Sequence, residues 1–435
     1  MQSINKIVLL LLCINLIAVS KEISFEEIRI SALENSHRLK LRSIDTSIEE
    51  FRLGSVYSTL YPQLSLGYSG EYNRNLDNAS SGSISVGDTT INSTVPYEHS
   101  VALRMNYELY HFGSTLKQIE ISKKEIGVKK LEQCNEEVKL YRELLDHYAR
   151  AQKAQNEQTY KSQMRTLRQE LYTLKQRLYN AGKESRVSVG DEAIRIIDLE
   201  RDIERSGMEF EENLIALSKL SHTNIALDTE LLPLQYRTTP QMSSFFDTPQ
   251  SHTYEEKILQ KNTEIEMLQR NQLPVISFYS AYYLYGSDTD NFHTGFNDIR
   301  PNSWNAGVSL RWSLFEGFKY NSESARLHFE RDRLSEEYAI AKREFDAQTQ
   351  ISQQKIDRLT QLQKNNVLIV NESRSKIAMI KRLREHGEAD AVSEVSVKLE
   401  SLERELTLHS EMIQLSYEAE SLKLQHRGIE SCTVR

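Results

Sequence analysis

The chain is written twice. Tyr107 and Leu109 have counterparts in Trp312 and Leu314, and the turn glycine Gly182 has one in Gly387, each 205 residues further on. An offset held from an alternating segment to a glycine turn marks one structural unit used two times. Within the copies, from Phe112 to Gly182 and from Gly317 to Gly387, 70 residues pass without a proline or a convincing break. At 1.5 Å per residue such a helix reaches roughly 100 Å, about three times the hydrocarbon thickness of a bilayer. Whatever this chain does, it does by spanning distance.

Each copy has the same order: a helix, a proline, two alternating segments around a polar loop, the very long helix, a glycine turn and a returning helix. The first helix is predicted from about Ser24 to Leu60, opened by Ser24 with Glu27 at capping-box spacing and stopped by Pro62. Leu64, Leu66, Tyr68, Gly70 and Tyr72 then alternate with Ser65, Gly67, Ser69, Glu71 and Asn73, a period of two that predicts a strand with one apolar and one polar face. Asn75 to Pro96 is aperiodic and rich in Ser, Gly, Thr and Asn, and reads as a long exposed loop. Val101, Leu103, Met105, Tyr107 and Leu109 form the second strand, and the stretch from Pro274 to Phe315 repeats the hairpin.

The long helices carry a coiled-coil pattern. Tyr160, Met164, Leu167, Leu171, Leu174 and Leu178 are spaced 4, 3, 4, 3, 4, and Val392, Val395, Leu399, Leu402, Leu406, His409 and Ile413 follow the complementary rhythm. Each helix therefore offers a seam to a neighbour, with His409 as a packing residue inside one. The expected divisions are a signal peptide at 1–20, a first repeat at 21–222 and an irregular equatorial linker at 223–251. A second repeat at 252–427 and a tail at 428–435 follow. The β-hairpins fall at about 62–112 and 274–316, and the helical hairpins at 113–222 and 317–427.

The N-terminus has the order of a secretory signal: Lys6, an apolar run from Ile7 to Ile17, then Ala18, Val19 and Ser20. Cys13 follows four leucines with no small residue before it, which disfavours a lipid attachment site. Cys134 and Cys432 remain, one in a long helix and one in the tail, and no disulfide framework is expected. A net charge of −8, from 54 basic and 62 acidic residues spread along helices, provides no basic patch for nucleic acid. No phosphate-binding glycine loop, metal-ligand spacing or nucleophile motif occurs, so neither an enzyme nor a cofactor is expected.

Four strands of about ten residues, apolar on one face, have the length of outer-membrane barrel crossings. Four cannot close a barrel, and open edges are not tolerated in lipid. Two chains would give eight strands and a filled interior; three give twelve and a water-filled lumen. Tyr61, Tyr97, Tyr107, Tyr110, Tyr279, Tyr282, Tyr283, Tyr285, Trp304, Trp312 and Phe315 are placed to form belts at the headgroups.

The segment Tyr107-Glu108-Leu109-Tyr110-His111-Phe112-Gly113, repeated as Trp312-Ser313-Leu314-Phe315-Glu316-Gly317, resembles the strand-to-helix junction of the TolC-type outer membrane efflux proteins. Gly182 with Ser185, and Gly387 with Asp390, resemble the family's helical-turn pattern Gly-x-x-Ser/Thr-x-x-Asp. The resemblance covers essentially the whole mature chain. It implies a mostly α fold with transmembrane β: a homotrimer whose twelve-stranded barrel in outer-membrane lipid continues as a twelve-helix α-barrel in the periplasm. It further implies a periplasmic adaptor protein docking at the turns, and an inner-membrane pump or ABC-type transporter behind it. The cargo would be small molecules of efflux or polypeptides of type I secretion.

The site residues implied are the docking tip, Gly182, Ser185, Ser188, Gly387, Asp390 and Ser393, and the junctions, Phe112, Gly113, Phe315 and Gly317. Ser188 and Ser393 stand where the family pattern has aspartate, so Asp191, Glu192 and Glu394, with Asp390, are the candidate pore acids that replace its charge. Favourable placement of acids at a helix N-terminus explains the same residues without a pore. A periplasmic adaptor, with a single helical hairpin and no duplicated strands, is the alternative class.

Overall fold

The computed structural model describes residues 22–72, 84–86, 89–91, 96–234 and 243–432. The expected signal peptide lies outside the described residues, as do most of the polar stretch from Asn75 to Pro96, linker residues 235–242 and the last three residues of the tail. The helices are α1 (Phe25–Asn35), α2 (His37–Tyr57), α3 (Ser114–Asn180), α4 (Arg186–Ser221), α5 (Pro249–Arg270), α6 (Phe292–Asn297), α7 (Lys319–Glu385) and α8 (Ala391–Gln425). The strands are β1 (Glu22–Ile23), β2 (Gln63–Tyr72), β3 (Ile84–Val86), β4 (Thr89–Ile91), β5 (Tyr97–Tyr110), β6 (Glu230–Leu231), β7 (Val275–Asp288) and β8 (Arg300–Arg311).

The long helices α3 and α7 are each 67 residues. The expected first helix is broken in two: Ser36 takes an extended conformation (ψ 119°) while its N–H still bonds the Ala32 carbonyl, so α1 and α2 diverge at that residue. The Ser24/Glu27 capping box forms as expected. Inside the polar stretch, β3 and β4 pair as a small ribbon, which aperiodicity had concealed.

The chain forms two compact units, and each draws on both copies. One comprises Asp45–Lys129 and Tyr254–Glu337. It contains a four-stranded antiparallel sheet in the order β2-β5-β7-β8. The two copies meet at its centre, where β5 of the first pairs with β7 of the second from Tyr97↔Asp288 to Tyr110↔Ile276. These central strands are 14 residues long, more than the ten expected. Leu64, Leu66, Tyr68, Leu103, Tyr282, Trp304 and Val308 share one side by register, and all are exposed. Ser65, Ser69, Arg104, Asn106 and Asn305 share the other. Three tyrosines expected in the headgroup belt, Tyr279, Tyr283 and Tyr285, belong to this polar side, where the Arg104 guanidinium lies 5.9 Å from the Tyr283 ring centre. The free edges are β2 and β8.

The other unit takes the chain up to Ile44, Lys130–Thr253 and the chain from Tyr338 onward. Its main core joins Ile28 and Ala32 of α1 to Leu140, Leu144 and Tyr148 of α3 and Phe210, Leu214 and Leu217 of α4. Tyr148 is fully buried and its hydroxyl donates to the Leu232 carbonyl at 2.6 Å, next to the parallel pairing of β1 with β6. Burial pushes the Tyr148 phenol above its usual range. The heptad seams find each other across the copies: Met164 and Leu171 of α3 pack on Val395 and Leu399 of α8, and Tyr160 meets His409 with ring centres 5.5 Å apart. A further cluster joins Ile356 of α7 to Leu415, Ala419 and Leu422 of α8.

The cysteines correct the sequence reading. After α8 the tail turns back, held by Arg427 on Glu137 at 2.8 Å and by the His426 ring on the Ser243 carbonyl at 2.7 Å. Cys432 thereby reaches Cys134, Cα to Cα 5.7 Å, and the two form a disulfide. Helix and tail are remote in sequence, so nothing local announced the pair.

Candidate functional site

The two hairpin turns are built alike. Helix α3 ends when Gly182 takes φ +70°; the Lys183 N–H then bonds the Leu178 carbonyl at 2.8 Å and the Gly182 N–H bonds Tyr179 at 2.9 Å. In the second copy Gly387 has φ +77°, with Glu388 N–H on Leu383 at 2.9 Å and Gly387 N–H on Arg384 at 3.0 Å. Both are Schellman closures, which satisfy the last carbonyls of a helix and call for glycine at the left-handed position. A Cβ at either glycine would meet no atom within 4 Å, so the constraint there is dihedral and not steric.

Three residues on, Ser185 and Asp390 cap the returning helices. The Ser188 N–H donates to Ser185 Oγ at 3.1 Å, and the Ser393 N–H donates to Asp390 Oδ1 at 2.7 Å. The Ser or Asp of the turn pattern is thus an N-cap, and Ser188 and Ser393 serve through their backbone at the third helical position. Hydrogen bonds from Ser393 hold the Asp390 carboxyl below the usual carboxylate range.

The candidate pore acids divide. Asp191 is exposed. Glu192 is fully buried between α3 and α4, accepting from Arg168 at 2.9 Å and Lys175 at 3.1 Å. Glu394 is buried too, bonded to Lys398 at 2.7 Å and to Arg384 of α7; Lys398 and then Arg384 hold its carboxyl below the usual range. Within the chain Glu192 and Glu394 are therefore helix-to-helix ties, not free charges. Their cationic partners Arg168, Lys175, Arg384 and Lys398 were not singled out from sequence, because solvated and bridging charges look alike along a helix.

The junctions hold two left-handed residues each: Phe112 (φ 50°) and Gly113 (φ 79°), Gly317 (φ 61°) and Phe318 (φ 64°). At the offset of 205 Phe112 matches Gly317 and Gly113 matches Phe318, a residue the sequence reading leaves unnamed. A left-handed phenylalanine costs about 1 kcal/mol at each site. Arg270 buttresses the first junction, donating to the Phe112 carbonyl at 3.3 Å, and a Cβ at Gly113 would collide with its guanidinium. Beside it Ser114 Oγ donates to Asn271 Oδ1. Among the described residues no group of three metal-ligating side chains occurs, and no helix is long and apolar enough to cross a membrane.

The described chain thus combines a duplicated helical hairpin with an amphipathic sheet left open at both edges. Residues 31–220, most of the first copy, match the model of the outer membrane efflux protein family. The fold extends the likeness to the second copy. The Campylobacter jejuni CmeC outer membrane channel superposes with a TM-score of 0.75 at 15% identity, covering 92% of this chain and 84% of that one. The open state of the Neisseria gonorrhoeae MtrE outer membrane channel gives 0.70 at 16% identity, covering 94% and 91%. The Vibrio cholerae outer membrane protein VceC gives 0.72 at 12% identity, covering 92% and 94%. No curated protein sequence matches the chain. The adaptor alternative has no support, since the helical hairpins and the strands are both doubled.

Proposed function

We propose that this chain is one of three wall segments of a passive exit duct in the outer membrane. The observation that carries the reading is the sheet: four strands, one apolar exposed side and unpaired edges at β2 and β8. An open edge in hydrocarbon leaves backbone groups without partners, each costing several kcal/mol, so β8 of one protomer pairs with β2 of the next. Three chains supply twelve strands, and α3, α4, α7 and α8 of each supply twelve long helices for the periplasmic part.

The duct serves a tripartite efflux assembly, as the family's description supports, with energy supplied by an inner-membrane pump through a periplasmic adaptor. A type I secretion exporter would engage the same turns. The adaptor docks at the turns around Gly182 and Gly387, whose capped geometry presents the same backbone twice per chain. With Glu192 and Glu394 neutralised inside the hairpins and Asp390 engaged as a helix cap, Asp191 supplies the cation-favouring ring at the pore.

Purified protein run unheated on a denaturing gel is expected as a band of about three protomers that collapses to one on boiling, and to form cation-preferring conductance in planar bilayers, weakened by Asp191→Asn. A stable monomer recovered from periplasmic extract, with no conductance, would overturn the duct. Unchanged ion preference in Asp191→Asn would remove the ring alone.

A further inference from the structure

The loop between β7 and β8 holds the short helix α6, folded back on the apolar side of the sheet. On that side His99 of β5 has a glycine directly across from it on both neighbouring strands, Gly70 of β2 and Gly286 of β7. One side chain between two missing ones leaves a trough, and α6 fills it. A Cβ at Gly286 would collide with the Gly295 carbonyl oxygen, and one at Gly70 would lie 3.1 Å from the Phe292 ring. Gly295 itself is required by the close approach, since its Cβ would stand 3.0 Å from His99 Cδ2.

His99 is completely buried beneath the helix. Its Nε2 lies 2.8 Å from the Phe292 carbonyl oxygen and its Nδ1 2.9 Å from the Tyr68 hydroxyl. A carbonyl only accepts, so Nε2 carries a proton; in the neutral ring Nδ1 then accepts from the Tyr68 hydroxyl. The Phe292 ring packs edge-on at 4.4 Å. A bare imidazole on the apolar side of a membrane strand would be costly; with α6 docked, both nitrogens are satisfied and the loop is fixed to that side.

Docking leaves Phe292 and Phe296 each 47% exposed, and they continue the exposed apolar surface of Tyr68, Leu103 and Trp304. Helix α6 reads Phe-His-Thr-Gly-Phe-Asn, with no Asp, Glu, Lys or Arg, while Asp290, Asp298 and Arg300 flank its ends. It lies at the end of the sheet opposite the junction at Phe112–Gly113. Aromatic rings with polar flanks at the end of a lipid-facing surface suit the boundary between headgroups and acyl chains.

We propose that α6 is a lipid-surface anchor, an aromatic ridge that the Gly70–His99–Gly286 trough locks against the sheet so that Phe292 and Phe296 enter the outer leaflet at the headgroup boundary. The inference rests on the outer-membrane reading of the sheet.

The test uses full-length protein in phosphatidylcholine vesicles, with Phe296→Trp in a Trp304→Phe, Trp312→Phe background. Quenching of the indole at 296 should be about twofold stronger with lipid brominated near the headgroup than near the chain end, because an interfacial ridge sits only about 5–10 Å deep. Phe292→Trp in the same background gives a second reading if the first variant folds poorly. A Trp312→Phe variant keeps Trp304, on the apolar side of β8 and 73% exposed, as the control for the sheet. If Trp304 escapes all bromolipid quenching, the outer-membrane reading fails. If Trp304 is quenched but the indole at 296 answers only to aqueous iodide, α6 faces water and the anchor is wrong. Quenching by neither agent means that a neighbouring protomer covers the ridge, which also overturns it.

Discussion

Ser185 and Asp390 occupy the same place in the two copies, 205 residues apart, and do the same work with different chemistry. Serine caps without a charge, whereas aspartate caps as an anion whose carboxyl is held low by Ser393. A carboxyl depressed in the folded state contributes stability above its unfolded value, near 3.9, and that contribution is lost as pH falls through the lower folded value. Replacing either residue by alanine is expected to cost about 1 kcal/mol at neutral pH. The cost of Asp390→Ala should fade below about pH 4 while that of Ser185→Ala persists. Amide hydrogen exchange of the two turns, corrected for intrinsic rates, measures this; identical pH responses would refute it. These caps and the turn glycines were legible in the sequence because each acts over three or four residues.

Among elements, the first hairpin is tied by a buried carboxylate. Arg168 and Lys175, two turns apart on α3, converge on Glu192 of α4, which is 0% exposed. Glu192→Gln preserves volume but leaves two sheltered cations facing an amide, and should destabilise the hairpin by roughly 3 kcal/mol. Glu394→Gln should cost less, because Arg384 is 50% exposed and water substitutes for the lost partner. Thermal melting of the two variants compares them; equal losses would show that burial of the partners is irrelevant. Sequence reading places both acids near the turns and leaves a pore ring and a helix N-terminal role open, since periodicity reports which face a residue shares and not what stands opposite. The same gap leaves the seam of α3 without a partner in the sequence; in the fold α8 stands against it.

On the scale of the whole molecule, the repeat is a unit of sequence and not of folding. The copies are interleaved, through β5 with β7 in one compact unit and through α3 with α8 in the other. The Cys134–Cys432 bond fastens the tail across 298 residues of chain. Closing so long a loop restricts the unfolded ensemble strongly, and Cys432→Ser is expected to lower stability by about 3 kcal/mol. Thiol labelling of unreduced protein in denaturant checks the premise. Two reactive thiols there would show that the bond does not form.

The order of elements, the 67-residue helices, the two-faced strands, the capped glycine turns and the family likeness all stood in the sequence, because each rests on periodicity or on contacts a few residues apart. The break at Ser36, the disulfide, the burial of Glu192 and the trough that seats α6 on His99 did not. Each of these depends on which distant segment arrives opposite a given side chain, and one-dimensional spacing holds no record of that; only the packed chain settles it.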